Sequence, residues 1–282
     1  MNKRRKMILV IITFIIFITT IWTIWGNTAL EINTFKITSE QIPSEFSGFR
    51  IAQVSDLHNT ELGKDNKKLI QMLEESTPDI IAITGDLIDA SDTDIEVALS
   101  FAEKAMQIAP CYYVTGNHEA SASDYGQLRD GLLALGVVIL ENQNIEIERG
   151  SEVITVIGVN EPSFQPIEVT EDYSAMMNEC LNPLVAENTN YKILLSHRPE
   201  LFQVYVQNNI DLVLSGHAHG GQFRIPFIGG LVAPNQGILP TYDAGVYTKD
   251  QTNMVVSRGI GNSIIPIRFN NRPEIILIEL LN

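Results

Sequence analysis

All five histidines of this 282-residue chain lie in short polar segments at the ends of apolar runs. The segments read Asp56-Leu57-His58, Gly116-Asn117-His118-Glu119, Ser196-His197-Arg198-Pro199 and Gly216-His217-Ala218-His219-Gly220-Gly221. Gly85-Asp86-Leu87-Ile88-Asp89 has no histidine but follows the same order, apolar run and then polar turn. Imidazole and carboxylate together suit divalent transition metals such as Zn, Mn or Fe. Taken singly, each segment is weak. Asp-x-His is common, and Gly-Asp or Gly-Asn after a strand is often a plain turn. Two imidazoles two residues apart between glycines have little purely structural use, and glycine lets backbone pass close to an ion. All the segments together, in order and each at the end of a run, point to one metal-binding site.

Their spacing says what must position them. Asp56 to Asp86 is 30 residues and Asp86 to Asn117 is 31, each the length of a βαβ unit, and His197 to His217 is a tighter 20. In α/β sheets, ligands gather at the carboxyl ends of the strands, so side chains up to 163 residues apart would converge. Periodicity predicts an edge strand over 30–39 and further strands over 49–54, 79–84, 112–115, 137–140, 145–148, 153–159, 191–195, 211–214, 254–256 and 275–280. Helices are predicted over 66–75, 95–108, 124–135, 172–181 and 200–207, and residues 220–247, rich in Gly and Pro, read as a loop. The expected class is α/β: two sheets flanked by helices, in one domain over 30–282.

Ahead of that domain, Lys3, Arg4, Arg5 and Lys6 precede an uncharged run from Met7 to Trp25. A helix of this length spans roughly 28 Å, close to the hydrocarbon thickness of a bilayer. The run is longer than the apolar region of a cleaved secretory signal and ends in two tryptophans suited to a membrane interface. Residues 1–29 are therefore expected to be a membrane anchor, with export after signal cleavage as the alternative. The basic cluster would stay in the cytoplasm and the remainder lie outside, in a single-pass arrangement.

Residues 31–282 hold 15 basic and 34 acidic side chains, a balance of −19. So acidic a body argues against nucleic acid as a partner and against broad adhesion to anionic lipid. Cys111 and Cys180 leave two readings open, a single disulfide or two free thiols. Oligomeric state is not legible.

The series Asp-x-His, Gly-Asp, Gly-Asn-His-Glu, His, Gly-His-x-His resembles the calcineurin-like metallophosphoesterase superfamily over roughly residues 48–282. Gly216-His-Ala-His-Gly-Gly-Gln222, Ser257-Arg-Gly-Ile-Gly261 and Arg272-Pro-Glu-Ile275 are similar to a bacterial membrane-associated branch. That branch contains phosphodiesterases and UDP-2,3-diacylglucosamine pyrophosphatase-like enzymes. The resemblance implies a four-layer α/β/β/α fold and two divalent ions, Mn, Fe or Zn. Asp56, His58 and His219 would hold one ion, Asn117, His197 and His217 the other, and Asp86 would bridge both. His118 would be the catalytic partner, protonating the leaving oxygen or stabilising developing charge, with Glu119 orienting it or serving as a solvated turn residue. Asp89 would support a ligand or cap a helix, and Arg198 and Arg258 are candidate phosphate contacts. The implied activity is hydrolysis of a phosphodiester or pyrophosphate in a small-molecule or lipid-linked substrate. The alternatives are a non-catalytic scaffold and a dinuclear hydrolase of other esters. Phe223, Ile225, Phe227, Ile228 and Leu231 are expected either to pack over the sheet ends or to wall a lipid-binding site.

Overall fold

The segment Ile80–Thr84 reads Ile-Ile-Ala-Ile-Thr, and a strand that is apolar on both faces must be covered on both. Ile80 and Ala82 enter one hydrophobic core while Ile81 and Ile83 enter another. The same division recurs at Ile193 and Leu195 against Leu194, and at Leu212 and Leu214 against Val213. The computed structural model describes residues 2–165, 173–262 and 265–282.

One six-stranded sheet has the order Glu31–Thr38, Glu274–Leu281, Arg50–Val54, Ile80–Thr84, Cys111–Val114, Val138–Ile139. The last four are parallel to one another, and the first two run against them. The second has the order Gly245–Lys249, Thr252–Val256, Leu212–Ser215, Tyr191–Leu195, Glu152–Gly158, Gln143–Arg149. Its four central strands are parallel and its two edges antiparallel. Ile51, Ile80, Ile154, Ile193 and Leu212 help fill the core between the sheets. Helices Lys67–Ser76, Ile95–Met106 and Tyr125–Ala134 cover the outer face of the first sheet through Leu73, Phe101 and Leu132. Helices Tyr173–Val185 and Phe202–Gln207 cover the second through Leu181 and Tyr205. The result is the four-layer α/β/β/α arrangement, with the Lys3–Thr28 helix ahead of it.

Several expectations shift. Residues 137–140 are not part of the second sheet's run of strands: Val138–Ile139 closes the first sheet, and the chain crosses to the second before Gln143. Residues 220–247 hold two short hairpins, Arg224–Ile225 with Gly229–Gly230 and Val232–Ala233 with Gly237–Ile238. The edge strand Gly245–Lys249 was not legible because its side chains are largely exposed and carry no apolar alternation. The predicted start of a helix at Asp172 lies outside the described residues. Cys111 and Cys180 are free thiols. Cys111 lies in the outer core of the first sheet and Cys180 on a helix covering the second, so both sheets stand between them.

The Lys3–Thr28 helix is exposed along its apolar stretch. Thr19 and Thr20 donate their hydroxyls to the carbonyls of Ile15 and Ile16 at 2.8 Å, leaving little polarity to satisfy outside the helix. Its last turn docks on the body. The Asn27 amide donates to Arg268 O at 2.9 Å and accepts from Arg268 N at 2.8 Å. The Arg272 guanidinium lies 4.8 Å from the Trp25 ring centroid and donates to Ala29 O at 2.7 Å.

Candidate metal centre

Each candidate ligand sits where an apolar strand stops and the chain turns. Asp56 and His58 follow Arg50–Val54, and Asp86 follows Ile80–Thr84. Asn117 opens a short helix after Cys111–Val114, His197 follows Tyr191–Leu195, and His217 and His219 follow Leu212–Ser215. Asp56, His58, Asp86, His217 and His219 all have left-handed backbone, with φ from 45° to 67°. For residues with a side chain this costs about 1–2 kcal/mol each, and such strain clusters at functional sites. The turns brace one another: Asp56 N donates to Gly85 O and His58 N to Asp86 O, both at 3.0 Å. From the other side Gly261 N donates to Asp56 O at 2.7 Å. That approach requires glycine at Gly259, whose φ is +72° and where a Cβ would lie 2.7 Å from Asp56 Cβ.

The side chains converge on Asp86. Its Oδ2 lies 3.1 Å from His197 Nε2 and 3.6 Å from His58 Nε2. His217 Nδ1 is 3.1 Å from His197 Nε2, and His219 Nε2 is 3.3 Å from His58 Nε2 and 3.4 Å from Asp56 Oδ1. Two buried groups result, Asp56-His58-Asp86-His219 and Asp86-His197-His217, with Asp86 common to both. Asn117 Oδ1 is buried and has no hydrogen-bond partner. A buried carbonyl oxygen left without a donor is unfavourable, and a cation relieves it. Two imidazoles are oriented from behind. His197 Nδ1 donates to Thr84 O at 2.7 Å, and His217 Nε2 donates to Asn235 Oδ1 at 2.9 Å. Nε2 of the first and Nδ1 of the second are thereby left as inward donors, the usual preparation of a ligating histidine. The donor set fits divalent ions.

Electrostatics agree. Burial opposes ionisation of Asp86, yet His197 holds its carboxyl well below the usual carboxylate range. Burial likewise opposes ionisation of Asp56, which His219 and His197 keep low. Burial would lower His197, but Asp86 pushes it up to about 10, whereas burial carries His219 down to about 3. One imidazolium among buried carboxylates is an incomplete neutralisation that cations would complete.

A model of calcineurin-like phosphoesterases matches residues 49–221, from the strand before Asp56 to the turn after His219. The chain belongs to the calcineurin-like phosphoesterase family. Calcineurin-like enzymes cleave phosphoric esters, and this chain is such a hydrolase. It is 30% identical over 257 residues to an uncharacterized metallophosphoesterase, YkuE, of Bacillus subtilis (strain 168), covering 89% of this chain and 85% of that one. It is 27% identical over 239 residues to the phosphodiesterase YaeI of Escherichia coli (strain K12), covering 83% and 82%. A transmembrane protein with a metallophosphoesterase domain from Danio rerio is 29% identical, over 87% of this chain and 56% of that one. Among solved structures, TT1561 of Thermus thermophilus shares the fold, with a TM-score of 0.52 at 15% identity over 76% of this chain and 91% of that one.

The other candidates of this calcineurin-like site divide. His118 lies at its edge, partly exposed, its Nδ1 accepting from Ala90 N at 3.0 Å and its ring edge-on to His58 at 4.4 Å. The proton of a neutral imidazole then sits on Nε2. Glu119 is neither a solvated turn residue nor aimed at His118. It is wholly buried, and its carboxylate accepts from Asp86 N at 2.8 Å, Gly116 N at 2.7 Å and Ile88 N at 3.2 Å. Burial and the Asp86 charge push it up to about 7. Asp89 caps its own turn through Ser91 N at 2.8 Å and lies 3.6 Å from His118 and 3.8 Å from His58. Arg198 is buried against Glu161 and Glu200, and the half-buried Arg258 pairs with Glu31 and Glu274, so both guanidinium groups are engaged with carboxylates. Glu161, Asn235 and Arg268 were not singled out in the sequence. Arg268 is wholly buried and donates to Arg258 O at 2.6 Å, to Asn262 Oδ1 at 3.1 Å and to Gly261 O, stiffening the segment that braces Asp56. Burial lowers it to about 10.

Proposed function

We propose that this chain hydrolyses a phosphodiester or diphosphate bond at a dinuclear metal centre, on a substrate presented at the membrane that its N-terminal helix enters. The observation that carries this reading is Asp86, one buried carboxylate common to both ligand groups. Asp56, His58 and His219 would hold one ion and Asn117, His197 and His217 the other, with Asp86 between them. Mn, Fe and Zn all suit these donors. When bound, such ions supply Lewis acidity and a water acidified to near neutrality.

The protein's own groups do the rest. Asp86, common to both groups, would offset the repulsion between two cations held there. His118, with Nδ1 occupied by Ala90 N, presents Nε2–H as a hydrogen-bond donor to the leaving oxygen and stabilises the charge that develops there as the ester bond breaks, the leaving oxygen taking its proton from water. Thr84 and Asn235 fix the ring orientations of His197 and His217. Arg198 is ion-paired with Glu161 and Glu200, and Arg258 with Glu31 and Glu274, so a phosphate would have to share either guanidinium with carboxylates. Similarity to a relative named as a phosphodiesterase supports the diester preference. The contacts of Trp25 and Asn27 with the body support an anchor that stays attached. The basic cluster supports placing residues 30–282 outside the cytoplasm.

The test uses the full chain in detergent, stripped with chelator and reloaded with Mn, Fe or Zn singly. Metal content per chain is measured beside turnover of mono- and bis-aryl phosphates, nucleotide-sugar diphosphates and lipid phosphates. The wild type should bind two ions and favour diester or diphosphate. Asp86→Ala should lower the metal content and abolish turnover. Two ions and undiminished turnover in that variant would end the bridging role.

A further inference from the structure

The surface around the anchor's exit carries apolar side chains that the described residues of the body leave exposed. Ile225, Phe227 and Ile228 project from the first short hairpin, and Phe227 is fully exposed. Ile265, Ile267 and Phe269 are exposed on the segment that crosses beneath it. The two segments form one surface. Arg224 N donates to Phe269 O at 3.0 Å, and Gln222 Nε2 donates to the carbonyls of Ile265 and Ile267 at 2.7 and 2.8 Å.

This surface has a fixed place relative to the Lys3–Thr28 helix. Asn27 pairs with both backbone groups of Arg268, the residue between Ile267 and Phe269. Arg268 is wholly buried, whereas its two neighbours Ile267 and Phe269 are exposed. They lie beside the helix turn that follows Trp22 and Trp25, the level at which indoles meet headgroups. We propose that Ile267 and Phe269, continued by the Ile225–Ile228 hairpin tip, form a second bilayer contact seated at the boundary of headgroups and acyl chains. The occupant is the bilayer that holds the anchor, because the Asn27–Arg268 pairing makes the patch continuous with the helix. The contact is apolar rather than electrostatic, since the body's balance is −19.

The consequence for the site is direct. The hairpin begins immediately after the His217–Gln222 turn, and Asn271 ties the two by donating to His219 O at 2.7 Å and Gln222 O at 3.2 Å. Seating the patch would hold the metal-binding turns at headgroup level, where a phosphoester of a lipid can reach them without leaving the membrane. The apolar residues of this hairpin then contact lipid rather than wall the site. The inference rests on the anchor reading above.

The experiment separates the two. Single cysteines at Phe227, Ile267, Ile15 and Glu148 are introduced into the full chain with Cys111 and Cys180 replaced by serine. Each is labelled with an environment-sensitive fluorophore and reconstituted in phosphatidylcholine vesicles containing spin-labelled lipids. At Phe227→Cys and Ile267→Cys, emission should shift to the blue and be quenched by shallow spin labels. The label at Ile15→Cys should be quenched by deep ones, and at Glu148→Cys by water-soluble quencher alone. Lipid quenching at Ile15→Cys with aqueous behaviour at Phe227→Cys and Ile267→Cys would leave the anchor standing and overturn the second contact. Aqueous behaviour at Ile15→Cys would overturn both. Signals at Phe227→Cys and Ile267→Cys that appear only when phosphatidylglycerol is added would overturn the apolar basis of the contact.

Discussion

Glu119 offers the sharpest test of how the centre is built. Its carboxylate accepts three buried backbone N–H groups, two from the turn carrying Asp86 and one from Gly116, next to Asn117 and His118. Glu119→Ala leaves all three without an acceptor. A buried orphan donor costs about 1–3 kcal/mol, so the total is on the order of 3–9 kcal/mol before water enters or the turns relax. Glu119→Gln has the same shape. Its amide oxygen can keep Asp86 N and Gly116 N, but its NH2 then faces Ile88 N, for a loss of about 1–3 kcal/mol. The two variants should therefore be graded, not equal. Urea unfolding of the ion-free full chain in detergent measures this, with metal content per chain measured in parallel. Metal content should fall further for Ala than for Gln, because the two turns carrying Asp86 and Asn117 lose their common tie. If both substitutions shift stability by less than about 1 kcal/mol and leave metal content unchanged, the clamp is not what holds these turns together.

Metal affinity should rise with pH. His197 is pushed from 6.5 up to about 10 in the ion-free protein, so it stays protonated across that window and an ion must displace the proton. Competition with a chelator, corrected for the chelator's own protons, should show affinity strengthening by about tenfold per pH unit there; a flat profile would refute it. Asn235→Ala removes the acceptor behind His217 Nε2 and should weaken metal binding by about 10–100-fold, with little effect on the unfolding midpoint of the ion-free chain. Cys111, whose thiol burial pushes up to about 12, should stay unmodified by a thiol reagent near neutral pH unless the chain is denatured, while Cys180 reacts first. Intact mass without reductant should show no disulfide.

What the sequence disclosed and what it hid follow from the same physics. Strands buried on both faces announce themselves as apolar runs, and a ligand at such a run's end is marked by the abrupt change to Asp or His. Asp56, Asp86 and His197 could be found that way. Glu119 could not be assigned, because it acts on backbone N–H groups that belong to no residue type. Asn235 sits in a hairpin loop 18 residues beyond the histidine it orients, with no periodicity linking them. Arg268 looks like a surface arginine until its neighbours fold over it. Arg198 and Arg258 are legible as cations near the predicted phosphate site, but the ion pairs they make with Glu161 and Glu274 are not, because no spacing links the partners. The edge strand Gly245–Lys249 was missed because an exposed edge needs no apolar pattern.

The left-handed backbone at Asp56, His58, Asp86, His217 and His219 has an evolutionary consequence. Glycine is at ease in that conformation and aspartate or histidine is not, so exchanging one of these residues for glycine would relieve local backbone strain. A single-base change converts an aspartate codon to a glycine codon. Each such change at Asp56 or Asp86 would also remove a buried carboxylate that the surrounding histidines keep ionised, so relief of backbone strain comes with loss of the contacts to His197 and His219.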